Sequence, residues 1–550
     1  MVLYKSKIRG KIRPMIPPKS FLKPDEVKFL LQDFFCGFGG VGYGARSAKN
    51  TIVVGAVNHD SEALDSHALN LPDTVHFNED ITVLYGEVKH GILFKSPQMQ
   101  RLIRLFDLYR AFYPNAKVVV HFSHECTNYS LAKGGQPRDP DSRSLPEHSD
   151  RYIHALDPDI ITIENVKEFM SWGPMKIKCV KEHKEDLTKG IYANTELKWI
   201  FNKKKNRDEL AYVPISTRKG EDYLRWVENI KSLGYKYDYR LLNAADFGAY
   251  TSRNRLFINF SKPNIPVSWP KATHSKNGCS QPDLFGEGLK KWNAVKDLID
   301  FSDEGDSIFT KEKRLSDNTL DTIIAGIKKF VPTQENNFMY KYYGNGHNLN
   351  SIDDPAGTIP TKDRFGKICC ILRNYRTGFT TSIDTAIGTL PTVPKANLLS
   401  FIRNPSHFGH TTSINTSCPT LIARQDKAPL SVVNAIEGKI NPAIVEFLNE
   451  KDWAYINQES GSKKTKALEL IECMFEYGIS DIMMRMLRVD ELLVIQGFPE
   501  DYIMVGPETR QKKFIGNSVV PLAYKVILEA LEEVIFTTDN DDHNNIKLAA

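Results

Sequence analysis

Between residues 24 and 270, short apolar runs rich in β-branched side chains alternate with longer stretches of helical character. Val53–Val57 (VVGAV), Lys117–Phe122 (KVVVHF) and Asp159–Glu164 (DIITIE) are such runs. Runs of this length, apolar throughout and separated by helices, read as strands covered on both faces. Repetition of the unit predicts an α/β fold with a doubly wound sheet. Ligands of such sheets gather beyond the carboxyl ends of the strands, so the residues that follow each run are the first candidates for chemistry.

Asp33–Gly44 reads DFFCGFGGVGYG, with five glycines in twelve residues. Bare backbone of this kind admits a ligand, or simply turns tightly. The spacing of Gly37, Gly39 and Gly40 departs from G-x-G-x-x-G, and G-K-[ST] is absent, which argues against a dinucleotide or an ATP phosphate. The run ending at Phe122 leads into SHECTNYS, which places Cys126 in a polar loop beyond a strand end, where a nucleophile belongs. Ile161–Phe169 (ITIENVKEF) ends a third run in Glu164-Asn165. In Leu241–Phe260, Arg253 and Arg255 stand two apart at the start of an apolar run, and period two predicts that they share one face of a strand. Arg485–Tyr502 predicts an amphipathic helix closed by Gly497 and Pro499. Lys513–Ala523 predicts a turn at Gly516-Asn517 and a helix starting near Pro521. Each block alone also suits plain packing.

Taken in order, the six blocks resemble the DNA (cytosine-5)-methyltransferase family. The resemblance covers about residues 30–260 and 480–535. Glu125-Cys126-Thr127, Trp172-Gly173-Pro174 and Thr361–Phe365 (TKDRF) are similar to a phage and prophage branch. The resemblance implies a Rossmann-like methyltransferase sheet with an inserted β-rich target-recognition domain. It implies methyl transfer from S-adenosyl-L-methionine to C5 of a flipped cytosine in duplex DNA, at a specific sequence, through a covalent cysteine intermediate. Cys126, Glu164, Arg253 and Arg255 would be catalytic. Phe35, Gly37, Gly39, Gly40, Asn58, Asp60, Asp80, Ile81, Asn517 and Val519 would hold the cofactor. Departures from the family pattern fall at Glu125 and Thr127 beside the cysteine, at Tyr250 and Thr251 before the arginines, and at Asn58, where an acidic residue usually meets the ribose. A tRNA cytosine-5 methyltransferase and a non-catalytic DNA-binding relative stand as alternatives.

Composition is that of an ordinary globular chain: 550 residues, 25% charged, 41% hydrophobic, net charge +5. This mildly basic balance is compatible with a nucleic-acid partner. Seven basic residues and no acid stand in the first 23, so residues 1–25 are expected to form a basic arm. Residues 539–550 are expected to be an acidic, disordered tail. The eight cysteines include no C-x-x-C pair, which predicts no metal site, and no apolar run suggests a membrane span or leader. A reduced, cytoplasmic setting, a monomer and a cognate restriction endonuclease as partner complete the expectation. The catalytic domain is expected over 26–270 and 479–538, with residues 176–210 as an insertion or exposed loop. Residues 271–478 are expected to be the target-recognition domain, because SIDDPAGTIP at Ser351 recurs in altered form at Ser382 and Ser413, an interval of 31 residues each time. Aromatic and basic residues interleave there, Arg364, Arg376 and Arg424 among them, as groove and phosphate contacts require.

Overall fold

The computed structural model describes residues 25–89, 92–124, 145–181, 196–202, 207–278, 288–300, 302–303, 305–330, 443–477, 479 and 481–548, and between 331 and 442 only the strands. The central sheet is built from β1 (Phe29–Phe34), β2 (Thr51–Asn58), β3 (Val75–Asn78), β4 (Lys117–Phe122), β5 (Ile160–Asn165), β6 (Lys236–Asn243) and β7 (Asn254–Ser261). Their spatial order is β3-β2-β1-β4-β5-β7-β6. The first five run parallel, and β7 lies antiparallel between β5 and β6. The order reverses at β1, so the crevice beyond β1 and β4 is where a ligand can enter.

Alternation along the strands divides the apolar side chains between two cores. Leu30, Phe34, Val118, Val120, Phe122, Ile161 and Ile163 face helices α3 (Pro97–Phe112), α4 (Ser149–Leu156) and α5 (Glu221–Ser232). Phe29, Leu31, Val119, Ile160 and Phe257 face the opposite side. That side is covered by α1 (Gly40–Ser47) and by a helix from the far end of the sequence, which begins at Pro521 and carries Tyr524, Ile527, Leu528 and Leu531. Each such buried side chain contributes about 1.5–3 kcal/mol. The last helix is therefore a structural half of the layer begun at residue 29. Its backbone continues to Leu548, so the expected disordered tail is helical as far as that residue. The basic arm lies outside the described residues, Asp25 excepted.

A second, mainly antiparallel sheet is formed by β8 (Asp306–Ser307), β9 (Phe338–Tyr342), β10 (Leu349–Ser351), β11 (Gly366–Lys367), β12 (Ala396–Arg403), β13 (Gly409–Ser413), β14 (Ser431–Ile436) and β15 (Asp481–Met486), with the short strand Ile371–Arg373 paired to β12. The strands β10 and β13 end at the first serine of the first and third sequence copies and pair in parallel at Leu349↔Thr411. Beyond those serines the three ten-residue motifs lie outside the described residues, as do Arg364 and Arg376. Two sequence expectations change here. Residues 176–210 contain antiparallel strand pairs, such as Trp199–Asn202 with Arg207–Leu210, rather than a plain loop. Arg485 and Met486 belong to β15, drawn into the sheet by pairing with β14, so the helix expected from residue 485 spans only Val489–Ile495. Gly497 (φ 96°) ends it in the left-handed region that favours glycine.

Candidate active site

The carboxyl ends of β1, β2, β4 and β5 share one edge, because the strands are parallel. That edge brings together Phe35, Asn58, the Ser123-His124 segment and Glu164-Asn165. The antiparallel β7 starts at the same edge, which is how Arg255 arrives there.

In the glycine loop, conformation and packing separate the residues. Phe35 has φ 60°, an uncommon state for a residue with a Cβ, of the kind that persists where surrounding structure enforces it. Gly37 has φ 53° and nothing within 4 Å of where a Cβ would stand, so open space lies above it. Gly39 (φ 117°) and Gly40 are different: a Cβ on either would collide with Tyr502 or with Ser518 and Val519. The Tyr502 hydroxyl also donates to the Phe38 carbonyl. One side of the loop is thus open to a ligand, while the other is pressed against residues 502–519. This open cradle fits S-adenosylmethionine, whose flat adenine and flexible methionine need close backbone approach rather than a charged phosphate nest.

On the β2 side, Asn58 Oδ1 accepts from the Asp60 amide at 3.1 Å. Asp60 caps α2 (Ser61–Asn70) and is gripped by Arg510, whose Nη2 lies 2.8 and 2.9 Å from the two carboxylate oxygens. Arg510 Nε also donates to Glu62 at 2.7 Å. The carboxylate nearest the expected ribose position is therefore already matched by a cation. Asp80 accepts from the Thr82 amide (2.7 Å) and hydroxyl (2.6 Å) at the start of a short helix, Ile81–Leu84. Burial works to raise its pKa, but those Thr82 bonds, with His59 and His148 nearby, hold it below the usual carboxylate value. The Ile81 carbonyl is bound by Arg151 and the Tyr152 hydroxyl, at 2.8 and 2.5 Å.

Glu164 is buried at the end of β5, and Arg255 Nε stands 3.2 Å from its Oε1. That distance pairs the charges, although among the described residues this oxygen has no aligned hydrogen-bond donor. Arg253 and Arg255 have different partners. Arg253 precedes β7, is buried, and donates through Nη1 to the Gly516 carbonyl at 3.0 Å. Its side chain is thus tied to the helix Glu508–Asn517. Gly516 and Asn517 close that helix instead of forming the expected turn; the turn is Ser518–Val520, and the next helix starts at Pro521 as expected. Asn517 is exposed and Val519 buried, and Gln496 Nε2 fixes the turn by donating to the Ser518 carbonyl at 2.9 Å.

Cys126 lies outside the described residues. Two thiols among those described are poor nucleophiles. Burial, with Asp33 nearby, pushes the Cys36 thiol well up, and burial pushes Cys473 up to about 12. Only a thiolate attacks readily. Among the described residues no group of His, Cys, Asp or Glu could hold a metal ion, and no helix is long and apolar enough to cross a membrane.

Local sequence reading missed Arg510, Gln496 and His124. Each works through a partner distant in sequence, so no spacing rule signals it. His124 Nε2 lies 2.8 Å from Ser149 Oγ, its ring centroid lies 5.2 Å from that of Phe35, and its carbonyl accepts from Asn165 Nδ2 at 3.4 Å.

Residues 215–533 match the profile of the C-5 cytosine-specific DNA methylase family. The type II methyltransferase M.AquIA of Picosynechococcus sp. is 26% identical over 271 residues, which is 49% of this chain and 87% of that protein. The type II methyltransferase M.BspRI of Lysinibacillus sphaericus is 23% identical over 332 residues, 54% of this chain and 59% of that protein. Among solved structures, a DNA modification methyltransferase encoded within an E. coli prophage superposes with a TM-score of 0.38 at 16% identity, covering 92% of this chain and 99% of the other. The Dnmt2 methyltransferase of S. pombe gives 0.37 at 12% identity, covering 92% and 98%. Superpositions this loose do not bear on function.

Proposed function

The chain belongs to the C-5 cytosine-specific DNA methylase family and is a DNA (cytosine-5)-methyltransferase, and from that premise we propose that it works by covalent catalysis on a flipped cytosine at a specific duplex site. The observation that carries the reading is the meeting, at one sheet edge, of the open glycine loop, the Glu164–Arg255 pair and the chain leading into the Cys126 loop.

Cytosine C5 is a poor nucleophile and needs activation. Cys126, as thiolate, adds to C6, and the electron pair of the C5–C6 bond shifts toward C5. Glu164, buried and paired with Arg255, accepts from the exocyclic amine and, in its protonated form, gives its proton to the ring N3, which supports that shift. S-adenosylmethionine, when bound, supplies an electrophilic methyl group. Once C5 carries the methyl, its proton leaves, the C5–C6 double bond re-forms and the C6–S bond breaks to release the Cys126 thiolate. Reaching such a pocket takes the base out of the helix stack, at a cost of about a few kcal/mol.

Phe35 and Gly37 line the open side of the cradle. Gly39 and Gly40 allow that cradle to close on residues 502–519. Asn58 or Asp60 faces the ribose, Asp80 and Ile81 the adenine, and Asn517 and Val519 the methionine end. Arg253 supports this last part through its bond to Gly516. Residues 26–270 and 479–538 form the catalytic domain and 271–478 read the duplex. The type II naming of both relatives makes a cognate endonuclease a reasonable partner to seek.

The test is Cys126→Ala beside the natural chain, with methyl transfer measured on mixed-sequence duplex DNA and on tRNA. Loss of transfer in the variant, with S-adenosylmethionine binding kept, supports the covalent reading. Undiminished transfer refutes it. Transfer to tRNA in preference to DNA refutes the duplex substrate.

A further inference from the structure

We propose that His124 is a positioning residue, the joint through which the cofactor loop and the end of β5 fix the chain that leads to Cys126. The inference rests on the reading of Cys126 as nucleophile. His124 stands two residues before Cys126, and its side chain is buried. Phe122 stacks on its ring at 5.5 Å with the planes 5° apart, and Phe169 and Trp226 close the remaining sides at 6.3 and 6.4 Å. Phe35, from the open side of the cofactor loop, leans on the same ring at 5.2 Å. Asn165, next to Glu164, holds the His124 carbonyl, and Ser149 at the start of α4 holds Nε2. Three of the blocks that make the site thus touch one side chain.

An all-aromatic box does not explain why the residue is histidine. Phenylalanine would fill it without burying polar nitrogens, whereas His124 Nδ1 has no hydrogen-bond partner among the described residues. Burial lowers the pKa of the imidazole to about 3, so the ring is neutral at any working pH. A neutral ring lends no charge to a thiolate. What it offers is direction, because the bond to Ser149 fixes its rotation and hence the exit of the backbone toward Cys126. Phe35 then couples the two halves of the reaction. A cofactor that seats Phe35 also seats His124, and by reciprocity an ordered His124 favours the cofactor.

The test compares wild type, His124→Phe, Ser149→Ala and the double variant. Each is mixed with S-adenosylmethionine and duplex DNA carrying 5-fluorocytosine for every cytosine, and the rate of covalent adduct formation is followed. Melting temperature and S-adenosylhomocysteine affinity are measured alongside. His124→Phe is expected to melt close to wild type and to form adduct about 10–100-fold more slowly, the upper figure being what a displacement of about 1 Å costs. Ser149→Ala should slow the adduct in the same direction, and the double variant should be no slower than His124→Phe, because both remove one tether. Adduct rates within about twofold of wild type in Ser149→Ala and in any folded His124→Phe overturn the proposal. So does a slowing fully matched by lost melting temperature, which marks a packing role. If wild type itself forms no adduct, the covalent reading falls first and this inference with it.

Discussion

Gly40→Ala should destabilise the protein, although helix propensity alone predicts the reverse. Gly40 is the first residue of its helix, and replacing a helical glycine by alanine usually gains up to about 1 kcal/mol. The structure opposes that gain. A Cβ at residue 40 would meet the Val519 carbonyl oxygen and Ser518 Oγ, each at 2.2 Å. The serine can rotate away, but the carbonyl belongs to backbone pinned by Gln496 and by the helix that starts at Pro521. Overpacking of this kind costs about 1–3 kcal/mol, more where backbone must move. The net change is therefore a loss, and it falls on the turn that closes the cofactor cradle. Gly37→Ala supplies the contrast. Its Cβ meets nothing, but φ 53° makes alanine pay about 1–2 kcal/mol for the left-handed state. Its methyl group also projects into the open side. Thermal melts and S-adenosylhomocysteine titration separate the two: Gly40→Ala should melt lower, by about 2–4 °C per kcal/mol as in domains of ordinary size, and Gly37→Ala should lose affinity beyond its loss of stability. A melting temperature for Gly40→Ala equal to or above that of wild type would refute the steric argument.

Glu164→Gln should slow single-turnover methyl transfer by about 10²–10⁴-fold while sparing duplex binding; a change under about threefold would make Glu164 a structural carboxylate. Acid should weaken the fold in a defined window. Burial lowers His121 to about 3 and His76 to about 4, from 6.5. Their stabilising contribution is complete above about 6.5 and is lost as pH falls from there toward those lower values, because the unfolded chain binds the protons first. Urea unfolding between pH 7 and 4 should show it, and His121→Gln should flatten the slope; an unchanged slope refutes the assignment. Arg364→Ala or Arg424→Ala should relax recognition at particular flanking bases, each good bidentate contact being worth about 1–3 kcal/mol. Sequencing of methylated sites checks this, and an unaltered site profile would make those arginines scaffolding.

The parallel sheet was legible in the sequence because buried strands announce themselves as short β-branched runs. Glu164 was legible as a strand-end residue and Arg255 as the start of an apolar run, whereas Phe35 came only with the family resemblance. What escaped is long-range. Arg253 and Arg255 look equivalent at period two, yet Arg253 bonds to Gly516, 263 residues away, and Arg255 pairs with Glu164. Gly40 reads as bare backbone for a ligand, whereas its Cβ-side neighbours come from Ser518 and Val519. Arg485 carries a helical pattern but yields to strand pairing with Val432. In each case a tertiary partner outweighs a local preference of less than about 1 kcal/mol.

The helix that begins at Pro521 has a consequence for the order of synthesis. The strands that carry the cofactor loop leave the ribosome early, together with α1, but Phe29, Leu31 and Val119 gain the rest of their apolar cover when Tyr524–Leu531 emerges. Until then one face of a parallel sheet is only partly covered, and the loop at Gly39-Gly40 lacks the wall that shapes it. Contacts so distant in sequence slow folding and lengthen the time at risk of aggregation. Methyl transfer is accordingly expected to wait until residues 502–531 have been made, because they complete the cofactor loop begun at residue 35.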